Sequence, residues 1–99
     1  MHHGNDKRNK NEHHLYEIRD RQRNGLYKYG ICGKPLNKDG SPPRANEQVS
    51  LFNRVVVWSR FFANILLKGI KGRRKAEEIE DQYINEFKKE YGHKPPGND

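Results

Sequence analysis

The sequence predicts a small α+β domain in which helices flank a three-stranded antiparallel sheet, in the order strand, strand, helix, strand, helix. Three observations carry this reading. Two runs of strand-forming residues bracket Asn24-Gly25, a strong short-range hairpin signal. A long stretch of glycine and proline separates that hairpin from the rest of the chain, and the last segment repeats its apolar residues at the helical period.

Residues 1–13 (MHHGNDKRNKNEH) contain no apolar residue after Met1 and no periodicity, so they read as a flexible polar leader to a domain over 14–99. Leu15, Tyr16 and Ile18, then Leu26, Tyr27, Tyr29 and Ile31, are strand formers, which predicts a hairpin over about residues 15–32. The loop GKPLNKDGSPP follows. Pro42-Pro43 suits a helix start, where the first amides lack partners anyway, and a helix is expected from about Arg44 to Asn53. FFANILLKGI is short, apolar and closed by Gly69 and Gly72, which favours a third strand near 60–68 over a helix. A final helix runs from about Arg74 to Tyr91, stopped by Gly92 and Pro95-Pro96. Ala76, Tyr83, Ile84, Phe87 and Tyr91 form its apolar stripe, flanked by Ile79, with Glu80 in the middle.

Composition narrows the class. With 99 residues and 31% hydrophobic content the chain supports one domain with a small core, to which five Tyr, four Phe and one Trp contribute heavily. No run approaches the roughly 18–20 apolar residues that cross a bilayer, so no membrane partner is expected. The lone Cys32 excludes an internal disulfide and reads as a small apolar residue at a strand end; four of the five histidines sit at positions 2, 3, 13 and 14, which argues against a zinc cage. Twenty Lys and Arg against 13 Asp and Glu leave a charge of +7, which favours a polyanion, and first of all nucleic acid, as partner. Lys71, Arg73, Arg74 and Lys75 form a basic run ahead of the last helix, suited to tracking phosphates or to a solvated loop. No heptad or exposed apolar run predicts a dimer, so a monomer is expected.

Glu80 is the most informative residue. A carboxylate inside an apolar stripe needs either a buried arginine partner or a metal ion, and position alone leaves both open.

At this point the residues resemble a known family. HLYEIRD…LYKYGICG looks like the paired strands of GIY-YIG nucleases, and AEEIEDQYINEFKKEYGHKPPGN looks like their C-terminal signature, with Ala76, Glu80, Ile84, Pro95, Pro96 and Asn98 in matching spacing. The resemblance covers about residues 14–98. It implies a GIY-YIG-like fold and a magnesium-dependent endonuclease. Tyr16 matches the tyrosine of the first motif, Arg44 the arginine that opens the first helix, Glu80 the metal-binding glutamate and Asn98 the closing asparagine. Lys28 stands where the second motif usually has its tyrosine, with Tyr27 and Tyr29 on either side, as in branches that read Lys-x-Gly. Arg54 and Arg60 compete with Arg44 for the arginine role.

In the roles so implied, Glu80 holds Mg²⁺ or Mn²⁺, Tyr16 orients or deprotonates water with its phenolate favoured by Lys28 and the metal, Arg44 clamps phosphate and Asn98 ties the tail to the site. The leader and the terminal KPPGN also resemble C-terminal modules of bacterial polymorphic toxins. That implies delivery as part of a larger secreted effector, action in the target-cell cytoplasm, and an acidic cognate immunity protein. DNA is the expected substrate. A ribonuclease toxin on the same fold and a non-catalytic nucleic-acid-binding module are the rival readings.

Overall fold

The computed structural model describes residues 11–99. Strands β1 (Glu12–Asp20) and β2 (Gly25–Cys32) are followed by helix α1 (Pro43–Val56), strand β3 (Phe61–Lys71), helix α2 (Arg73–Tyr91) and a 3-10 turn, Pro96–Asn98. The expected α+β order is therefore the observed one. Residues 1–10 of the segment read as a leader lie outside the described residues, but the boundary at 13 is corrected: β1 already includes Glu12 and His13, and His13 is buried.

The sheet order is β2-β1-β3, antiparallel throughout, so β1 is central. Its side chains enter two cores. Tyr16 and Ile18 pack with Cys32, Ala45 and Phe61 beneath α1, whereas Leu15 packs with Ile70 and Ala76 beneath α2. The helices thus cover opposite faces, and β1 is buried almost without interruption instead of alternating. Each fully buried Leu, Ile or Tyr body contributes about 1.5–3 kcal/mol. On the α1 side Tyr27, Phe52 and Phe61 close a ring cluster at centroid distances of 4.8–5.5 Å.

The expected hairpin is present, and its bend falls at the Asn-Gly signal. Asp20 pairs with Gly25, leaving a four-residue loop, Arg21 to Asn24, with Asn24 in the left-handed region at φ 53°. Gly25 belongs to the strand. Asp20 organises this end: its carboxylate accepts the Gln22 amide at 2.9 Å and takes a two-pronged ion pair from Arg60, Nε and Nη2 each at 2.8 Å.

α1 extends three residues past its expected end, and β3 runs on to Lys71 through irregular pairing with β1, where Gly69 adopts φ 68°. α2 ends at Gly92 in the left-handed conformation, whose amide bonds the Lys88 carbonyl at 2.8 Å. Its core face is narrower than the predicted stripe. Ala76, Ile79 and Tyr83 pack inward, while Tyr91 is 56% exposed. An exposed apolar group also stands where none was expected, at Leu51, Val55, Val57 and Trp58 around the end of α1.

Both edge strands are capped by an asparagine. Asn53 accepts the Phe61 amide at 2.7 Å and donates to its carbonyl at 3.0 Å; Asn98 does the same for Tyr29 at 2.7 and 2.9 Å. Each supplies the pairing that a further strand would have given.

Asp20 is 2% exposed, and the hydrogen bonds from Arg60 hold its carboxyl below the usual carboxylate value. Asp20→Asn should lower stability in urea unfolding by about 1.5–3 kcal/mol at neutral pH. A carboxyl depressed in the folded state stabilises fully above its ordinary value near 3.8 and loses that contribution as pH falls through the lowered one, so the gap between variant and parent should close below that pH.

Candidate active site

The layers beneath and above the sheet meet around the outer edge of β2. There a cleft of about 560 Å³ is lined by β2 residues, by Arg44 and Gln48 of α1, by Glu80 of α2 and by Asn98 of the tail. Tyr16, Lys28 and Tyr29 also line it, so six of the ten residues read as functional share this wall. Arg73 makes a seventh.

Gly30 makes the arrangement possible. It pairs with Tyr16 across the strands, and a Cβ there would lie 2.7 Å from the tyrosine Cε2 and nearer still to the end of the ring. The bare backbone lets the ring lie across β2, so its hydroxyl, buried in the wall of the cleft, donates to Gln48 Oε1 at 2.6 Å. Gln48 was missed in the sequence; it stands one turn after Arg44, on the same face of α1.

Four groups share one electrostatic neighbourhood. Burial pushes the Tyr16 hydroxyl up to about 12, against the opposing pull of the Arg44 guanidinium beside it. The Lys28 ammonium is lowered by burial and by Arg44, and held up by Glu80. Glu80 is raised above the ordinary carboxylate value, first by burial and then by Asp81, while Lys28 and Arg44 pull it down. Where Lys28 was expected to favour the Tyr16 phenolate, Arg44 is the cation that pulls that hydroxyl down, and burial outweighs it.

Glu80 makes no ion pair or hydrogen bond among the described residues, which disposes of the buried arginine partner. Its acidic companions in the cleft are engaged. Glu77 accepts from Arg73 at 3.2 Å, and Glu47 sits 3.9 Å from Lys34 at the rim. No group of three or more His, Cys, Asp and Glu is placed to hold a metal among the described residues. A cation at Glu80 would take its other ligands from water and from oxygens of a bound molecule, which is the habit of Mg²⁺.

The remaining candidates divide. Asn98 acts through Tyr29, whose backbone it clamps from both sides. Arg60 is committed to Asp20 and does not line the cleft, nor does Arg54, so Arg44 is the arginine at the site. Of the basic run only Arg73 reaches the cleft; Lys71 ends β3 opposite Glu12, and Arg74 and Lys75 are exposed on the first turn of α2. Cys32 is a buried core residue. His13 is an addition the sequence did not disclose. Its Nδ1 lies 2.8 Å from the Asn11 carbonyl, which fixes the proton there, and the buried Nε2 under Gly33 has no partner.

With this geometry established, comparison with known proteins is informative. Residues 6–92 match the sequence model of a family described as URI fold toxin 2. The chain belongs to this family. The match covers the sheet and both helices and stops short of the asparagine clamp at the tail of this toxin. No curated protein and no solved structure matches the chain. No helix of the described residues is long and apolar enough to cross a membrane.

Lys28→Met should raise the Glu80 carboxyl titration further above its ordinary value, because a cation that favours the carboxylate is removed. Carboxyl-detected NMR titration reads this directly, and an unmoved Glu80 would contradict the shared site.

Proposed function

We propose that this URI fold toxin is a metal-dependent endonuclease that hydrolyses phosphodiester bonds, with DNA as the preferred substrate and a GIY-YIG-like arrangement of its site. The observation that carries the reading is the unpaired, half-buried Glu80 carboxylate facing Tyr16, Lys28 and Arg44 across one cleft.

Hydrolysis needs a water in line with the leaving oxygen, and counter-charge for the non-bridging oxygens as the new P–O bond forms and the bridging one breaks. Glu80 would hold the metal, and a Mg²⁺ or Mn²⁺ ion there would supply Lewis-acid stabilisation of that charge. Arg44 presents its planar fork to a phosphate oxygen, and Lys28 adds a second cation from the strand. Tyr16 donates its hydroxyl hydrogen bond to Gln48, so the lone pairs of its oxygen are left to accept a hydrogen bond and orient the attacking water. Asn98 fixes the backbone of Tyr29 beside these groups.

Membership of a toxin family supports delivery as part of a larger effector and a cognate immunity protein that shields the producer. The net charge of +7 makes an acidic partner seated over the cleft the simplest inhibitor.

Purified protein incubated with plasmid DNA and with total tRNA, each with Mg²⁺ and with chelator, tests the reading. DNA should be cut only with the ion. Glu80→Gln should reduce cleavage by about 100-fold or more while leaving salt-dependent binding in place. Cleavage that persists in chelator discards the metal role; cleavage of tRNA alone makes the toxin a ribonuclease. If both polymers are bound and neither is cut, the module is a binder.

A further inference from the structure

A second cavity, of about 650 Å³, opens beside the cleft between the α2 face and the start of β2. Its wall is aromatic. Tyr29 and Tyr83 meet edge to face at 5.3 Å, and Phe87 and Tyr91 lie 4.4 Å apart at a tilt of 38°. The exposed Tyr91 ring adds nothing to the core, although it ends the stripe that the sequence assigned there.

The charges of this cavity oppose those of the cleft. Glu86 and Glu90 line it and form no ion pair among the described residues, while Arg19 is engaged with Glu17 at 3.3 Å and His93 meets the Phe87 ring edge to face at 5.8 Å. Such a wall repels phosphate. Ring faces accompanied by carboxylate and Gln82 amide acceptors suit a flat heteroaromatic group that carries amino donors. The volume also lies in the range of small-molecule sites. Tyr29 lines both cavities, so the phosphate-binding and ring-binding surfaces join at one residue whose backbone Asn98 holds in place.

We propose that this cavity receives an unstacked nucleobase next to the phosphate bound in the cleft, and that the substrate is therefore single-stranded or looped nucleic acid in preference to intact duplex. The proposal rests on the nuclease reading and specifies its substrate. In a duplex both faces of each base are covered, so entry would require extruding a nucleotide against its stacking and pairing. An unpaired strand offers its bases without that expense, and each base stacked on an aromatic ring strengthens binding severalfold or more.

Binding by the full chain carrying Glu80→Gln, which leaves the nucleic acid intact, separates the possibilities. Fluorescence anisotropy would compare a short single-stranded DNA, the same sequence as RNA, and the DNA duplex at one ionic strength. A single strand should bind about 10-fold more tightly than the duplex. Adding Tyr91→Ala should weaken that binding by about 5- to 50-fold without changing duplex affinity, and Tyr91→Phe should restore it. An abasic site in the single strand should reproduce the loss in the unaltered chain, which keeps the test valid should Tyr91→Ala fail to fold. The DNA and RNA arms show which backbone is preferred. Equal affinity for duplex and single strand, or indifference to both Tyr91→Ala and the abasic site, overturns the proposal and leaves the cavity to a protein partner. If the parent chain cuts duplex DNA with Mg²⁺ under those same conditions, the nuclease reading survives alone. If single strands bind through Tyr91 and no polymer is cut, the base-binding cavity survives alone.

Discussion

The structure depends on a central strand that is covered on both faces. β1 sends Tyr16 and Ile18 under α1 and Leu15 under α2, so neither helix can leave without exposing half of a very small core. The same constraint builds the site. Two layers that must both lie on β1 can meet only around an edge of the sheet, and at the β2 edge the glycine at position 30 lets the Tyr16 ring lie close across the strand. Arg44 and Gln48 come from above and Arg73, Glu77 and Glu80 from below, and the strand supplies Lys28 between them.

That meeting place carries unbalanced polarity. Burial works against the charged forms of Tyr16, Lys28 and Glu80 alike, and the attractions of Glu80 to Lys28 and Arg44 offset only part of this. A domain selected for stability alone would replace such a set with apolar residues of similar volume. A site for an anion and a cation together would account for the set: a phosphate would answer the two basic groups, and a divalent ion the carboxylate. The buried His13 Nε2, without a partner at the floor of the same cleft, belongs to this pattern.

Much of this was legible in the sequence because local chemistry and tertiary packing agree. The double proline before α1, the glycine after α2 and the inward position of Glu80 are each read from spacing, and each stands where it was expected. The misreadings arose where tertiary contacts overrule the local signal. Tyr91 keeps the helical period of the core face, yet at the last turn of α2 a cavity lies between the helix and the start of β2, and the ring is left exposed. His13 was read with its polar neighbours because burial of a histidine depends on a partner strand, which composition does not reveal. Gln48 was hidden for a simpler reason: a glutamine on a helix carries no signal until the hydroxyl it serves is placed.

The two asparagine clamps explain how so polar a chain tolerates this arrangement. With only 31% hydrophobic residues, the fold cannot add strands or a third helix to protect the sheet edges, and it satisfies them with side-chain amides instead. The two clamps are not equivalent. Asn53 joins α1 to β3 on the side away from the cleft and serves the fold alone. Asn98 grips Tyr29, the residue at which the basic cleft and the aromatic cavity meet, from a tail that reaches β2 only through its short 3-10 turn. Release of that tail would free the β2 edge and loosen the wall between the two cavities, while α1, α2 and the central pairing of the sheet kept their own contacts. The wall between the two cavities is therefore held by the Asn98 amide together with the packing of Pro95 and Gly97 against β2.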